Sequence, residues 1–87
     1  MIEVKKFEAD YCQPCKMLRP TFQQLENKYR GKVRFSYIDV DINESMAQKY
    51  SVRSVPFVVF EKNGQVVNKL VGVNSEKTYS DIIDNLI

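Results

Sequence analysis

Asn63-Gly64 stands between two apolar, β-branched runs, Phe57-Val58-Val59-Phe60 and Val66 to Val71, and constrains its surroundings more tightly than any other dipeptide in the chain. A two-residue hairpin turn asks for positive φ at its centre, which asparagine and glycine tolerate and most residues do not. The second half of the sequence is therefore expected to form two adjacent antiparallel strands. The first of them is apolar throughout and has the length of a buried strand. The rest of the chain has to cover it within 87 residues, which is enough for one domain over 1–87 and no more.

Upstream, strand and helix patterns alternate. Ile2, Val4, Phe7 and Ala9 mark a strand over residues 2–9, unusually polar because Glu3, Lys5, Lys6 and Glu8 are interleaved. Pro14 suits the first turn of a helix that begins between Cys12 and Pro14, since its missing N–H has no partner there. Leu18, Phe22, Leu25 and Tyr29 then recur at helical spacing on one face. Pro20 removes the amide that would bond the Lys16 carbonyl, which predicts a kink and not a stop. Gly31 is the expected C-cap. Val33 to Val40 reads as the second strand. Asp41 or Asn43 is expected to cap a short helix buried through Met46, Ala47 and Tyr50. Gly72 ends the last strand, and Ser75 caps a final helix with Tyr79, Ile82, Ile83 and Leu86 on one face. The order βαβαββα predicts an α/β fold with a four-stranded mixed sheet flanked by helices. Its first three strands are expected to be parallel, through right-handed crossovers, with the hairpin strand antiparallel.

Cys12 and Cys15 are the chain's two cysteines, and it has no histidine. A disulfide between them closes too small a loop to constrain the unfolded chain, so the pair is better placed for exchange than for stabilisation. A zinc site within one chain lacks two ligands, which leaves zinc shared between chains as the metal reading. Lys16 follows Cys15 where a c-type haem site needs histidine. No cofactor is expected beyond the redox-active Cys12–Cys15 disulfide. The net charge of +2, without a basic run, gives no support to nucleic-acid or anionic-membrane partners. Residues 1–6 lack the apolar run of a signal peptide and no segment approaches spanning length, so the expectation is a cytoplasmic protein, where thiols stay reduced.

Position divides the work of the two sulfurs. At the head of a helix, free N–H groups and the macrodipole favour an anion, so Cys12 is expected to be ionised, open to solvent and nucleophilic. Cys15, one turn further in, is expected to be more buried, less acidic and resolving: it attacks Cys12 after a mixed disulfide has formed. Pro14 restricts the intervening loop, and Gln13 tunes geometry and solvation.

Tyr11-Cys12-Gln13-Pro14-Cys15-Lys16-Met17-Leu18-Arg19-Pro20 resembles the active-site segment of the thioredoxin family, commonly Trp-Cys-Gly-Pro-Cys-Lys followed by a helix proline. Val52-Arg53-Ser54-Val55-Pro56 resembles the family segment that ends in a cis-proline, and Lys62-Asn63-Gly64 and Val71-Gly72 fall where that family has its hairpin turn and groove glycine. The resemblance covers essentially the whole chain. It implies a minimal thioredoxin-like fold without the extra N-terminal strand and helix, and a protein dithiol–disulfide oxidoreductase. It implies a cis Val55-Pro56 bond, and a substrate groove built from Tyr11, Gln13, Pro14, Val55, Pro56 and Gly72. Its implied partners are disulfide-containing proteins and a thioredoxin reductase, with the chain acting as a monomer. Two rivals stand beside this reading. A glutathione-dependent, glutaredoxin-like activity is encouraged by the small size and opposed by Asp10-Tyr11 and by the lack of paired glycines near Gly72. A binding module that docks partners in the groove is opposed by the intact cysteine pair and Pro56.

Several residues depart from the family pattern. Lys6 stands where the family has a buried aspartate, and Tyr37 where it has that aspartate's lysine partner. Glu8 is a candidate substitute carboxylate, against the reading that it faces solvent. Lys6, if close to the pair, would favour thiolate; alternatively its stem covers apolar surface and its amine reaches water. Tyr11 replaces the tryptophan. Lys16, Arg19 and Arg53 either ring the site or are scattered surface charge.

Overall fold

The strand β1 (Ile2–Glu8) lies inside a four-stranded sheet, and its two faces account for its mixed composition. A computed structural model describes residues 1–87. Strands β2 (Val33–Asp39), β3 (Phe57–Lys62) and β4 (Gln65–Val71) complete the sheet in the order β2-β1-β3-β4. Helices α1 (Gln13–Met17), α2 (Arg19–Lys28), α3 (Glu44–Lys49) and α4 (Glu76–Leu86) flank it. Side chains alternate across a strand. Val4 therefore joins Val58 and Phe60 under Leu18, Phe22, Leu25, Tyr79 and Ile83, the larger core. Phe7 joins Ile38, Phe57 and Val59 on the opposite face, where Met46 and Tyr50 of the α3 region pack.

One expectation about direction is overturned. β2 runs parallel to β1, but β3 is antiparallel to it, so the first three strands are not all parallel. The connection between β2 and β3 explains this. Its helix α3 has six residues, a rise of about 9 Å, whereas returning along a strand such as β1 takes about 23 Å. The link crosses the end of the sheet: Val40 after β2, Val55 before β3 and Ala9 after β1 pack in one cluster. β3 therefore starts at the end where β1 and β2 finish.

Other differences are local. Between Cys12 and Tyr29 there are two helices, not one kinked helix, divided at Leu18. The cause is the expected one, because Pro20 has no amide to give, and Leu18 keeps helical dihedrals while the ladder is interrupted. The apolar face runs through the break, with Leu18, Phe22, Leu25 and Tyr29 all buried. α2 ends at Lys28 with Tyr29 as C-cap, and Gly31 (φ 80°) belongs to the turn beyond. Asn43 occupies the N-cap position of α3 without a side-chain cap, because its amide donates to the Asp39 carbonyl instead. The hairpin forms as its sequence requires, with Asn63 and Gly64 at φ 53° and 82°.

The polar residues of β1 are paired rather than solvated. Lys5 Nζ donates to Glu61 Oε1 at 2.6 Å and to the Tyr50 hydroxyl at 3.2 Å, and Tyr50 donates to Glu61 Oε2. Ser36 closes the group by donating to Glu3 at 2.7 Å. This network lies on the sheet face that carries Phe7, where Tyr50 also packs. Burial opposes ionisation of Glu61, but hydrogen bonds from Lys5 and Tyr50 and the Lys5 charge outweigh it and hold the carboxyl below the usual range. A carboxyl depressed by folding contributes its full stability above the ordinary carboxylate pKa and loses it as pH falls through the folded value. Thermal unfolding followed from about pH 6 to about pH 3 is therefore expected to start higher for the unaltered protein than for Glu61→Gln, with the gap closing in acid. Parallel curves would contradict the assignment.

Candidate active site

Cys12 and Cys15 form a disulfide at the start of α1, with Cα atoms 5.3 Å apart. Cys12 is the N-cap residue, in extended conformation (φ −86°, ψ 104°), and Pro14 occupies the first turn of the helix. The Cys15 N–H donates to Cys12 Sγ at 3.1 Å. Because α1 has five residues, this directed amide, more than a long macrodipole, is what favours negative charge on the Cys12 sulfur. Ala9, Val40 and Val55 pack around the pair.

The burial of Cys12 differs from expectation. Cys12 is 6% exposed and Cys15 1%, so the order of accessibility holds while Cys12 is far from open to solvent. In the oxidised state its sulfur is bonded to Cys15, and Val40 and Val55 pack against the pair. The Val55 carbonyl oxygen lies 3.7 Å from Cys12 Sγ, and the Val55–Pro56 peptide is cis.

The expected groove residues fall into three groups. Tyr11, 72% exposed, and Val55 line a hollow of about 110 Å³ beside the disulfide, together with Val40, Val52, Arg53 and Ser54. Gln13 and Pro14 are exposed on the rim of α1. Gly72 (φ 81°) reaches the site through the backbone, its N–H donating to the Pro56 carbonyl at 2.8 Å. Tyr79, fully buried in the larger core, donates to the Gly72 carbonyl at 3.4 Å. The core thus holds Gly72, and Gly72 holds Pro56, the residue that follows Val55. The largest hollow, about 490 Å³ along α2 near Arg30 and Gly31, shares no residue with this site.

Beneath Cys15 lies Lys6. Its Nζ donates to the Cys15 carbonyl at 3.0 Å and pairs with Glu8 Oε1 at 3.0 Å. The side chain is 1% exposed, which rules out the reading that its amine reaches water. Glu8 does not simply face solvent either, at 23% exposure and ion-paired. Register sets Tyr37 beside Lys6 across β1 and β2, and the Lys6 ammonium lies 5.3 Å from the Phe22 ring centroid and 5.8 Å from that of Tyr37. Tyr37 donates to Glu26. Partial burial, followed by that hydrogen bond and the charges of Glu26 and Glu8, pushes the Tyr37 phenol above its ordinary range. Arg19 and Arg53 line separate hollows that share no residue, so they do not form one basic pocket. The Ala9 and Val40 packing against the disulfide was not anticipated; the signal for it is that each directly follows a strand.

No group of three or more His, Cys, Asp or Glu side chains is arranged to hold a metal ion. No helix is long and apolar enough to cross a membrane.

Comparison with known proteins assigns this arrangement. The thioredoxin family model matches residues 2–85. A thioredoxin from Staphylococcus aureus is 37% identical over 83 residues, covering 95% of this chain and 80% of that protein. The oxidised mitochondrial thioredoxin 3 of Saccharomyces cerevisiae superposes with a TM-score of 0.90 at 34% identity, covering 98% of this chain and 78% of that one. A chain from a structure of thiol resolution in a yeast mitochondrial peroxiredoxin via the glutathione and thioredoxin systems gives a TM-score of 0.91 at 33% identity, with 98% and 78% covered. With sequence, fold and a bonded cysteine pair in agreement, the chain belongs to the thioredoxin family and is a thiol–disulfide oxidoreductase.

Proposed function

We propose that the chain reduces disulfides in other proteins, with Cys12 as the attacking sulfur and Cys15 as the resolving one. The observation that carries this reading is the Cys15 N–H aimed at Cys12 Sγ, with Cys15 buried behind it. In the reduced protein the Cys12 thiolate attacks one sulfur of the substrate disulfide. A Cys12–substrate bond forms and the first substrate thiolate leaves. Cys15 then attacks Cys12 Sγ, forms the Cys12–Cys15 bond and expels the second substrate thiolate. Two electrons pass to the substrate, and the product is the disulfide present in this structure.

Tyr11, Gln13, Pro14, Val55, Pro56 and Gly72 form the substrate groove in this reading. The Val55 backbone pairs with the bound substrate chain, and the hollow beside Tyr11 takes one substrate side chain. In this reading one chain supplies both sulfurs and the groove, and the protein acts as a monomer. A reductant of this kind works in a compartment that keeps thiols reduced, which is the cytoplasm. Electrons return from a thioredoxin reductase, and the Cys12–Cys15 disulfide itself is the sole redox group.

An insulin disulfide-reduction assay with two recharging systems tests this function. Turnover is expected with thioredoxin reductase and NADPH and is expected to be slower with glutathione. Turnover supported by glutathione alone would transfer the protein to the glutaredoxin-like reading. No turnover with either system or with dithiothreitol would refute the assignment.

A further inference from the structure

We propose that Lys6 is a positioning residue for the second exchange, its buried ammonium stabilising the Cys15 thiolate, with Glu8 setting how strongly it does so. The inference rests on the resolving role of Cys15 given above and adds the groups that govern it. Its basis is an ion with no structural need to be where it is. Lys6 is 1% exposed, and burying an ammonium is costly unless it is well paired. Neither of its partners depends on it. The Cys15 carbonyl already accepts from the Leu18 N–H at 3.2 Å. The Glu8 carboxylate, at 23% exposure, can be hydrated without it. The third N–H is left toward the faces of Phe22 and Tyr37, where the ammonium lies 5.3 Å and 5.8 Å from the ring centroids. A methionine would fill the same volume. What lysine adds is a positive charge 3.0 Å from the backbone carbonyl of the resolving cysteine.

Cys15 needs that charge because it is itself 1% exposed, so solvent does little for its thiolate. A nearby opposite charge favours the ionised form of such a group. A cleft of about 380 Å³, lined by Lys6, Glu8, Arg19, Glu26 and Tyr37, opens beside the ammonium. In the second exchange Cys15 loses its proton to solvent. Its thiolate bonds to Cys12 Sγ, the bond between Cys12 and the substrate breaks, and the electron pair leaves with the substrate sulfur, which takes up a proton from solvent. Lys6 neither gains nor loses a proton. By stabilising the reduced pair it also makes the protein a weaker reductant than it would be without the charge. Glu8 offsets part of that effect.

Two substitutions with opposite expected signs test the proposal. In Lys6→Met the reduced pair loses its counter-charge, and the equilibrium with a glutathione or dithiothreitol buffer, read at a pH where Cys15 is ionised, is expected to shift about tenfold toward the disulfide, about 30 mV more reducing. In Glu8→Gln the ammonium is uncompensated, and the shift is expected toward the dithiol. Thiolate absorbance is read in a Cys12→Ser background, where Cys15 is the one thiol. Its midpoint is expected to rise by about one pH unit with Lys6→Met and to fall with Glu8→Gln. Arg19, Glu26 and Tyr37 face the same cleft and are unaltered in both variants. Should Lys6→Met not fold, Glu8→Gln at the exposed end of β1 decides alone. Potentials and midpoints that stay put, or that move the same way in both variants, overturn the proposal. If the unaltered protein reduces insulin while the variants show no shift, the role of Lys6 falls and the functional assignment stands. If the unaltered protein does not reduce insulin, the assignment itself falls.

Discussion

Cys12→Ser is expected to bring insulin reduction down to the uncatalysed background, whereas Cys15→Ser is expected to stop one step later. The difference follows from where the two sulfurs sit. Cys12 is the N-cap residue whose sulfur receives an N–H, so removing it removes the group that opens the substrate disulfide. Cys15 lies behind it, buried, with its sulfur bonded to Cys12. Without Cys15 the first exchange still occurs, and the protein accumulates as a mixed disulfide with its substrate, visible on a non-reducing gel. Full turnover by Cys12→Ser would assign the attacking role elsewhere. Biological activity retained by the double serine variant would favour a binding module that uses the groove alone.

Phe22→Ala is expected to cost about 3–5 kcal/mol of stability, a large share of the roughly 5–15 kcal/mol that holds a domain folded. Phe22 is 1% exposed, with its ring centroid 5.2 Å from Tyr79 and 6.2 Å from Phe35 and Tyr37. It therefore joins α2 to α4 and to β2, and no neighbouring side chain can fill its place without leaving its own. For a domain of this size each kcal/mol moves the melting temperature by about 4–8 °C, so thermal unfolding by circular dichroism is expected to shift by more than about 12 °C. A loss below about 1 kcal/mol would show that the core collapses around the gap. The same ring lies against the Lys6 ammonium, so the substitution also loosens the floor of the active site.

The residues that local chemistry governs were legible in the sequence. Asn63-Gly64 formed the hairpin because positive φ is a property of those two residues. Leu18, Phe22, Leu25 and Tyr29 faced the core because helical spacing alone sets their common side. Ser75 capped α4, its hydroxyl accepting from the Thr78 N–H at 3.2 Å. What local pattern does not contain is direction and pairing. The antiparallel course of β3 depends on where the link through α3 packs, and no residue within that strand encodes it. Nothing in the local pattern marks Glu61, a charge at the end of an apolar run. It is buried because β3 sets it opposite Glu3 and close to Lys5, two strands that lie far apart in sequence. At the site, the cysteine spacing announced redox chemistry, and the resemblance marked Pro56 and Gly72, which the structure joins through the Gly72 N–H and the Pro56 carbonyl. The burial of Cys12 was missed because spacing carries no information about Val40 and Val55 packing against the pair. The fate of Lys6 was open for a similar reason: the same sequence allows its amine to reach water or the Cys15 carbonyl, and the packing of α1 and α2 over β1 selects the second.

Site-resolved alkylation of the reduced protein tests the central claim most directly. Protein reduced and freed of reductant is treated at neutral pH with less than one equivalent of iodoacetamide, and the modified cysteine is identified by peptide mass. The account predicts modification at Cys12, faster than at an ordinary cysteine of the same peptide unfolded in denaturant, with Cys15 untouched. Cys12 reacting more slowly than that unfolded reference, or Cys15 reacting first, would contradict it.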